Sequence, residues 1–185
     1  SDIMGFRGIR VWGDDIYCAT WDYNGSLNGA RQIWFLRSPD RGETWEEPIN
    51  VTNYTTGTTK DPSLWVDSNN GDIYCAWWSN ESTSGYKIRV SRSSDRGDTW
   101  EPEVQVNPTG GSQEWHCLTM DDSVDPAYLY VSYSDYVSAG DNYNVMLAST
   151  TTDNFSTWNN VQVDDSDIGA LQNTVSVSEY DNSVW

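Results

Sequence analysis

The chain has 185 residues, 37% of them hydrophobic, with 11 Trp and 11 Tyr and a formal charge of −18. So acidic a surface, with Lys60 and Lys87 the only lysines, repels phosphate backbones and argues against nucleic acid as a partner. No apolar run approaches the ~18 residues of a membrane-spanning helix, so no transmembrane segment is expected.

Short aromatic-rich runs bounded by Gly, Asn, Asp and Ser follow one another along the chain, the pattern of many strands. A first unit, roughly 5–55, opens on Phe6-Arg7-Gly8-Ile9 and Arg10, then runs through Asp15-Ile16-Tyr17-Cys18-Ala19 to Trp21. Asp22, Tyr23 and Asn24 follow on the expected loop, and Ser38-Pro39-Asp40-Arg41-Gly42-Glu43-Thr44-Trp45 lies further on. A second unit, roughly 61–109, predicts strands at 61–67, 72–79, 86–93 and 103–107. It repeats both elements, as Asp72-Ile73-Tyr74-Cys75-Ala76 and as Ser93-Ser94-Asp95-Arg96-Gly97-Asp98-Thr99-Trp100. A third unit, roughly 115–167, carries Tyr128-Leu129-Tyr130-Val131-Ser132 and a decayed eight-residue copy, Thr151-Thr152-Asp153-Asn154-Phe155-Ser156-Thr157-Trp158. Residues 172–180 read as the first strand of a further unit. From Asp40 to Asp95 is 55 residues and from Asp95 to Asp153 is 58, and two motifs sharing one period identify a structural repeat.

The run Ile73-Tyr74-Cys75-Ala76-Trp77-Trp78 is apolar at every position. A strand needs that only when both faces of its sheet are covered, and neighbouring blades of a β-propeller supply such cover. The expected fold is therefore all-β: a propeller of four-stranded antiparallel blades, three of them here plus the start of a fourth, and part of a six-bladed ring. The remaining blades are expected in the same chain or, second, in another copy of it. The eight-residue box falls on the turn between the third and fourth strands. Its Ser and Asp side chains can accept hydrogen bonds from the turn backbone, and Gly42 and Gly97 suit a positive φ. Trp45, Trp100 and Trp158 are expected to fold beneath their turns and be buried. Phe155 stands at the glycine position of the third copy, which must take another backbone path.

Other constellations are weaker. Cys18, Cys75 and Cys117 are odd in number and read as small buried residues rather than a disulfide framework. His116 is the only histidine, so neither a Ser-His-Asp set nor a His-rich zinc site can be assembled. Asp121, Asp122 and Asp125, and Asp164, Asp165 and Asp167, read as turn carboxylates. The stretch from Asp165 to Gly169 resembles part of a calcium loop without its remaining ligands, so no cofactor is expected and Ca²⁺ is the one metal to test. Trp12, Trp21, Trp34, Trp65, Trp77, Trp78 and Trp115 read mainly as core. Trp21 and Trp78, near strand ends, are the candidates for a ligand face, with Tyr23 and Asn24 beside them. Sequons at Asn24, Asn50, Asn53, Asn80 and Asn154 are candidate glycosylation sites and favour an extracellular or cell-surface protein.

The two intact boxes resemble the Ser-x-Asp-x-Gly-x-Thr-Trp repeat of the sialidase (neuraminidase) superfamily, the BNR or Asp-box propellers. Asp61-Pro62-Ser63-Leu64-Trp65-Val66-Asp67 followed by Gly71-Asp72-Ile73-Tyr74 is similar to the strand pair that precedes the box in such blades. That group is mixed: exo-sialidases, xyloglucan-cleaving enzymes, sorting receptors and secreted propellers without known activity. A sialidase of this kind uses three arginines on the substrate carboxylate, a Tyr nucleophile with a Glu partner, and an Asp acid/base. Phe6-Arg7-Gly8-Ile9 is similar to its first arginine motif but lacks the proline. The resemblance thus implies Arg7 and Asp22 as catalytic candidates, with the other groups in further blades. The leading expectation is a recognition or scaffold module facing a glycan or surface glycoconjugate. The alternatives are a sialidase-type glycoside hydrolase and a self-assembling surface protein.

Overall fold

A computed structural model describes residues 8–23, 30–80, 85–107, 112–137 and 142–163. Arg7, Asn24, the acidic stretch from Asp164 to Asp167 and the strand expected at 172–180 lie outside these. The described residues form three four-stranded antiparallel sheets. The first blade holds β1 (Ile9–Trp12), β2 (Asp15–Tyr23), β3 (Arg31–Ser38) and β4 (Ile49–Asn50) in sequence order. The second holds β5 (Thr58–Val66), β6 (Ile73–Asn80), β7 (Lys87–Ser93) and β8 (Val104–Gln105), and the third β9 (Gln113–Asp121), β10 (Tyr128–Val137), β11 (Asn142–Thr151) and β12 (Asn159–Gln162). Within each blade, strands consecutive in the chain pair antiparallel. No helix among the described residues is long and apolar enough to cross a membrane.

The apolar run on β6 works as its composition requires. Ile73, Cys75 and Trp77 point to the first blade and share a core with Tyr17, Ala19, Trp21, Ile33, Phe35 and Leu64. Tyr74, Ala76 and Trp78 point the other way, into a core with Leu118, Met120, Leu129, Val131, Tyr133 and Ala148 of the third blade. Seven consecutive residues of β6 are therefore buried. Alternation of side chains sends neighbours to opposite faces, and each face meets another sheet. All three cysteines are free, Cys75 buried and the other two half-buried.

The boxes close the β3–β4 and β7–β8 turns as the sequence implies. Asp40 Oδ1 accepts from the Thr44 amide at 2.8 Å and Oδ2 from the Thr44 hydroxyl at 2.5 Å, while the Ser38 hydroxyl accepts from the Gly42 amide at 2.7 Å. The second box repeats these bonds through Asp95, Thr99, Ser93 and Gly97. Gly42 and Gly97 have φ of +94° and +95°. The Thr hydroxyls and amides hold both carboxyls below the usual carboxylate range, with the Thr side chain the largest influence. A depressed native pKa gives stability that is complete above the unfolded carboxylate value, ~4, and is lost as pH falls through the native one. Urea midpoints should therefore decline below about pH 4, and Asp95→Asn should flatten that decline. An unchanged acid limb in Asp95→Asn would remove the box from this account.

The box tryptophans do not all behave as expected. Instead of plugging its own turn, Trp100 packs edge-on against Phe35 of the preceding blade, with centroids 5.3 Å apart. Trp158 meets Phe155, which meets Tyr74 of the second blade at 5.7 Å. Trp45 is 47% exposed and Trp100 and Trp158 are half-buried, which corrects the expectation that all three are buried. Each box seats on the blade before it, and no described blade precedes the first. The same face of blade one leaves Ile9 58% and Val11 64% exposed.

The decayed third box has a packing explanation. Leu64 and Leu118 pair with Cys75 and Val131 on their inner strands, which sets the blades in register. On that register Phe35 and Val90 are equivalent, since Phe35 pairs with Ala19 and Val90 with Ala76. The large Phe35 lies against Gly97, whereas Val90 shares a core with Phe155. Bulk has moved across the interface from sheet to box. Phe155 adopts right-handed helical angles, φ −52° and ψ −22°, after a single 3-10 turn at Thr152–Asn154, so the third turn no longer needs a glycine.

Candidate functional site

At the end of the blades opposite the boxes, the inner strands β5 and β9 carry the same irregularity. On β5 the register slips between Lys60 and Ser63, so that Asp61 and Pro62 oppose the single residue Trp77. On β9 it slips between Glu114 and Cys117, so that Trp115 and His116 oppose Tyr133. These are bulges at equivalent positions of two repeats. Asp61 has φ +54° and Trp115 φ +48°, left-handed values that cost a non-glycine residue about 1–3 kcal/mol. Bulges gather near functional sites because they re-aim side chains. Here they turn Lys60, Asp61, Glu114 and Trp115 into one cleft.

The cleft measures about 430 Å³ and is lined by Trp21, Arg31, Lys60, Asp61, Trp78, Glu114 and Trp115. The C-terminal ends of β2 and β6 supply Trp21 and Trp78, the N-terminal end of β3 supplies Arg31, and β5 and β9 supply the rest. The Arg31 guanidinium lies 4.6 Å from the Trp21 ring centroid. Lys60 Nζ lies 5.6 Å from that ring and 5.2 Å from the Trp78 ring. Trp78 Nε1 donates to Asp61 Oδ2 at 2.9 Å, and its ring meets Tyr86 edge-on at 4.7 Å. Trp115 packs on Tyr143 at 5.1 Å. Beneath Glu114, Gln113 is tied to Asp135 and Asn107 by side-chain hydrogen bonds of 2.5 and 2.7 Å. Burial pushes the Glu114 carboxyl above its ordinary value, Lys60 opposes the rise, and Asp61 adds to it.

Trp21 and Trp78, the expected ligand-face residues, do line this cleft, but each is only 9% exposed. Asp22 is exposed on β2, opposite Gln32 in register, and is not among the lining residues. The side chain of Tyr23 and the whole of Asn24 lie outside the described residues. Sequence reasoning gave no site role to Arg31, Lys60, Asp61, Glu114 or Trp115. The usable signal was the repeat itself, which aligns Lys60-Asp61 with Glu114-Trp115 once Leu64 is set on Leu118.

Elsewhere, Asp121 Oδ1 accepts from the Ser123 amide and hydroxyl, and Asp122 Oδ2 from the Ser68 amide, so both serve turns. No group of three His, Cys, Asp or Glu side chains converges as metal ligands among the described residues. His116 is buried in β9. Of the sequons, Asn53 and Asn154 are exposed and Asn80 is half-buried at the end of β6. Asn50 uses its side-chain oxygen to accept from the Thr52 and Asn53 amides.

No protein-family model matches the sequence, and no curated protein matches it. Solved structures do. The chain is similar to a protein of unknown function from Dyadobacter fermentans DSM 18053 (TM-score 0.66, 13% identity, covering 88% of this chain and 42% of that one). It is similar to the Hadza microbial sialidase Hz136 (TM-score 0.59, 14% identity, 83% and 36%). It is also similar to an endo-arabinase from Bacteroides thetaiotaomicron VPI-5482 (TM-score 0.60, 16% identity, 95% and 66%). The chain thus spans between 36% and 66% of the length of these three. At such identities the likeness establishes the propeller fold.

Proposed function

We propose that the cleft binds a glycan and that Glu114 and Asp61 form the acid/base pair of a glycoside hydrolase. The observation that carries this reading is the pair itself. Two carboxyl groups in one aromatic-lined cleft sit within electrostatic reach, and Glu114 is pushed toward its protonated form by burial and by Asp61. Glycosidic bond cleavage needs such a division, one carboxyl to protonate the leaving oxygen and one carboxylate to assist at the sugar carbon. Asp61, with Oδ2 fixed by Trp78, suits the second role. The volume falls in the range of small-ligand pockets, about 300–1,000 Å³. Support also comes, as fold analogy only, from the similar structures of a sialidase and an endo-arabinase, and from the Asp-box resemblance.

The test is a panel of chromogenic arabinofuranosides, galactosides and sialosides with linear arabinan, scored for binding and for release of product. Turnover that Glu114→Gln and Asp61→Asn each suppress is the expected result. Binding without turnover would establish a recognition module instead. No binding to any member would remove both.

A further inference from the structure

Two of the three tryptophan rings lining the cleft cannot act as sugar-stacking platforms, because the surrounding blades leave only 9% of each of Trp21 and Trp78 exposed. What a ligand meets there is the cation held beside them. The Lys60 ammonium is positioned by both rings, 5.6 and 5.2 Å from their centroids, and the side chain is half-buried on a bulged strand. Among the described residues it makes no hydrogen bond or ion pair. An ammonium carries three donors and is strongly hydrated, and a half-buried one lacks part of that hydration unless a ligand supplies acceptors. Neither neighbouring carboxyl is hydrogen-bonded to it: Asp61 Oδ2 accepts instead from Trp78, and Glu114 reaches Lys60 through its field. Arg31 lies against the same Trp21 ring.

Two of the ten basic residues in a chain of charge −18 therefore line one cleft. They concentrate cationic character in one cleft of an otherwise acidic protein. We infer that Lys60 is its specificity-determining residue, receiving the carboxylate of an acidic sugar at the Trp21–Trp78 corner of the cleft. Such a carboxylate projects from the edge of the sugar ring, so it can reach Nζ without the ring lying on either tryptophan. This inference rests on the glycan reading above and names the ligand class of the same site.

The experiment measures affinity by calorimetry at pH 7 for three arms: uronate-terminated, sialate-terminated and matched neutral oligosaccharides. At least one acidic arm should bind about 10- to 100-fold more tightly than its neutral counterpart, the effect of a charge-assisted hydrogen bond. The arm that binds identifies the source of the carboxylate. Lys60→Met keeps the length and packing of the stem, and should abolish the preference for the acidic arm over its neutral counterpart. Lys60→Arg should restore most of it. Equal affinity for acidic and neutral arms, or an acidic preference that survives Lys60→Met in a variant with an unaltered melt, overturns the inference and leaves the glycan reading standing. Failure of all three arms overturns both.

Discussion

Replacing Gly97 by alanine will destabilise the chain by about 3 kcal/mol or more, whereas the same change at Gly42 will cost only about 1 kcal/mol. The two glycines have nearly the same φ, +95° and +94°, so the backbone cost of adding a Cβ is shared. What differs is the neighbour. At Gly97 the new atom would lie within 3.0 Å of three atoms of the Phe35 ring, while at Gly42 the nearest atom is Ile16 Cδ1 at 3.6 Å. Phe35 is fully buried between Tyr17 and Trp100 and has no room to withdraw. The difference between the variants thus isolates the inter-blade clash from the turn strain. Phe35→Val, which installs the residue found at the equivalent Val90, should relieve it. The double variant should be more stable than the sum of the singles by about 1–2 kcal/mol. Urea midpoints at constant m-value check all three. Equal losses at Gly42 and Gly97 would refute the account of how bulk is shared between sheet and box.

Glu114→Gln will lower turnover of whichever glycan the panel identifies by about 10²- to 10⁴-fold, the range for loss of a general acid, with KM little changed. The sign of the pH dependence follows from the environment of the group. Burial raises its carboxyl above the ordinary value, so the active protonated form persists to higher pH than for a solvated Glu, and activity falls as pH rises through that raised pKa. Asp61 contributes to the rise and Lys60 opposes it. Residual activity in Asp61→Asn should therefore show its alkaline limb at lower pH, and Lys60→Met should move the limb upward. Opposite displacements by two neighbours of one carboxyl are hard to produce by general loss of structure. Full activity in Glu114→Gln would dismiss this residue as the acid.

The architecture could be read from the chain because it is written twice in local chemistry. The spacing of the eight-residue boxes, the two-faced run from Ile73 to Trp78 and the positive-φ glycines each imply blades without any knowledge of long-range contacts. Strand positions in the second unit agree with expectation except at its start and in its last strand, expected over 103–107 and formed only by Val104–Gln105. At the start the strand was expected from Asp61, but it begins at Thr58 and passes through a bulge. That bulge is also why the cleft was not legible. A bulge leaves no periodic signature, and the residues it re-aims, Lys60-Asp61 and Glu114-Trp115, share a position but not a chemistry. Trp21 and Trp78 were found as strand-end aromatics, yet their near-complete cover depends on blades meeting across the interface. Trp45 was misjudged for a related reason: a box motif specifies its own turn, whereas the fate of its tryptophan is decided by the sheet before it.

That directional seating has a bearing on how the chain acquires its structure during synthesis. Phe35 and Tyr17 leave the ribosome long before Trp100 and Gly97, which cover them. Each newly made sheet therefore waits, with one greasy side bare, until the following repeat has emerged and supplied its lid. Order is handed forward from one unit to the next, as in other linear repeat arrays whose energetics reduce to nearest-neighbour couplings. A ribosome that stalls within a repeat would strand the sheet behind it uncovered, which makes the pauses between boxes the vulnerable moments in the making of this protein.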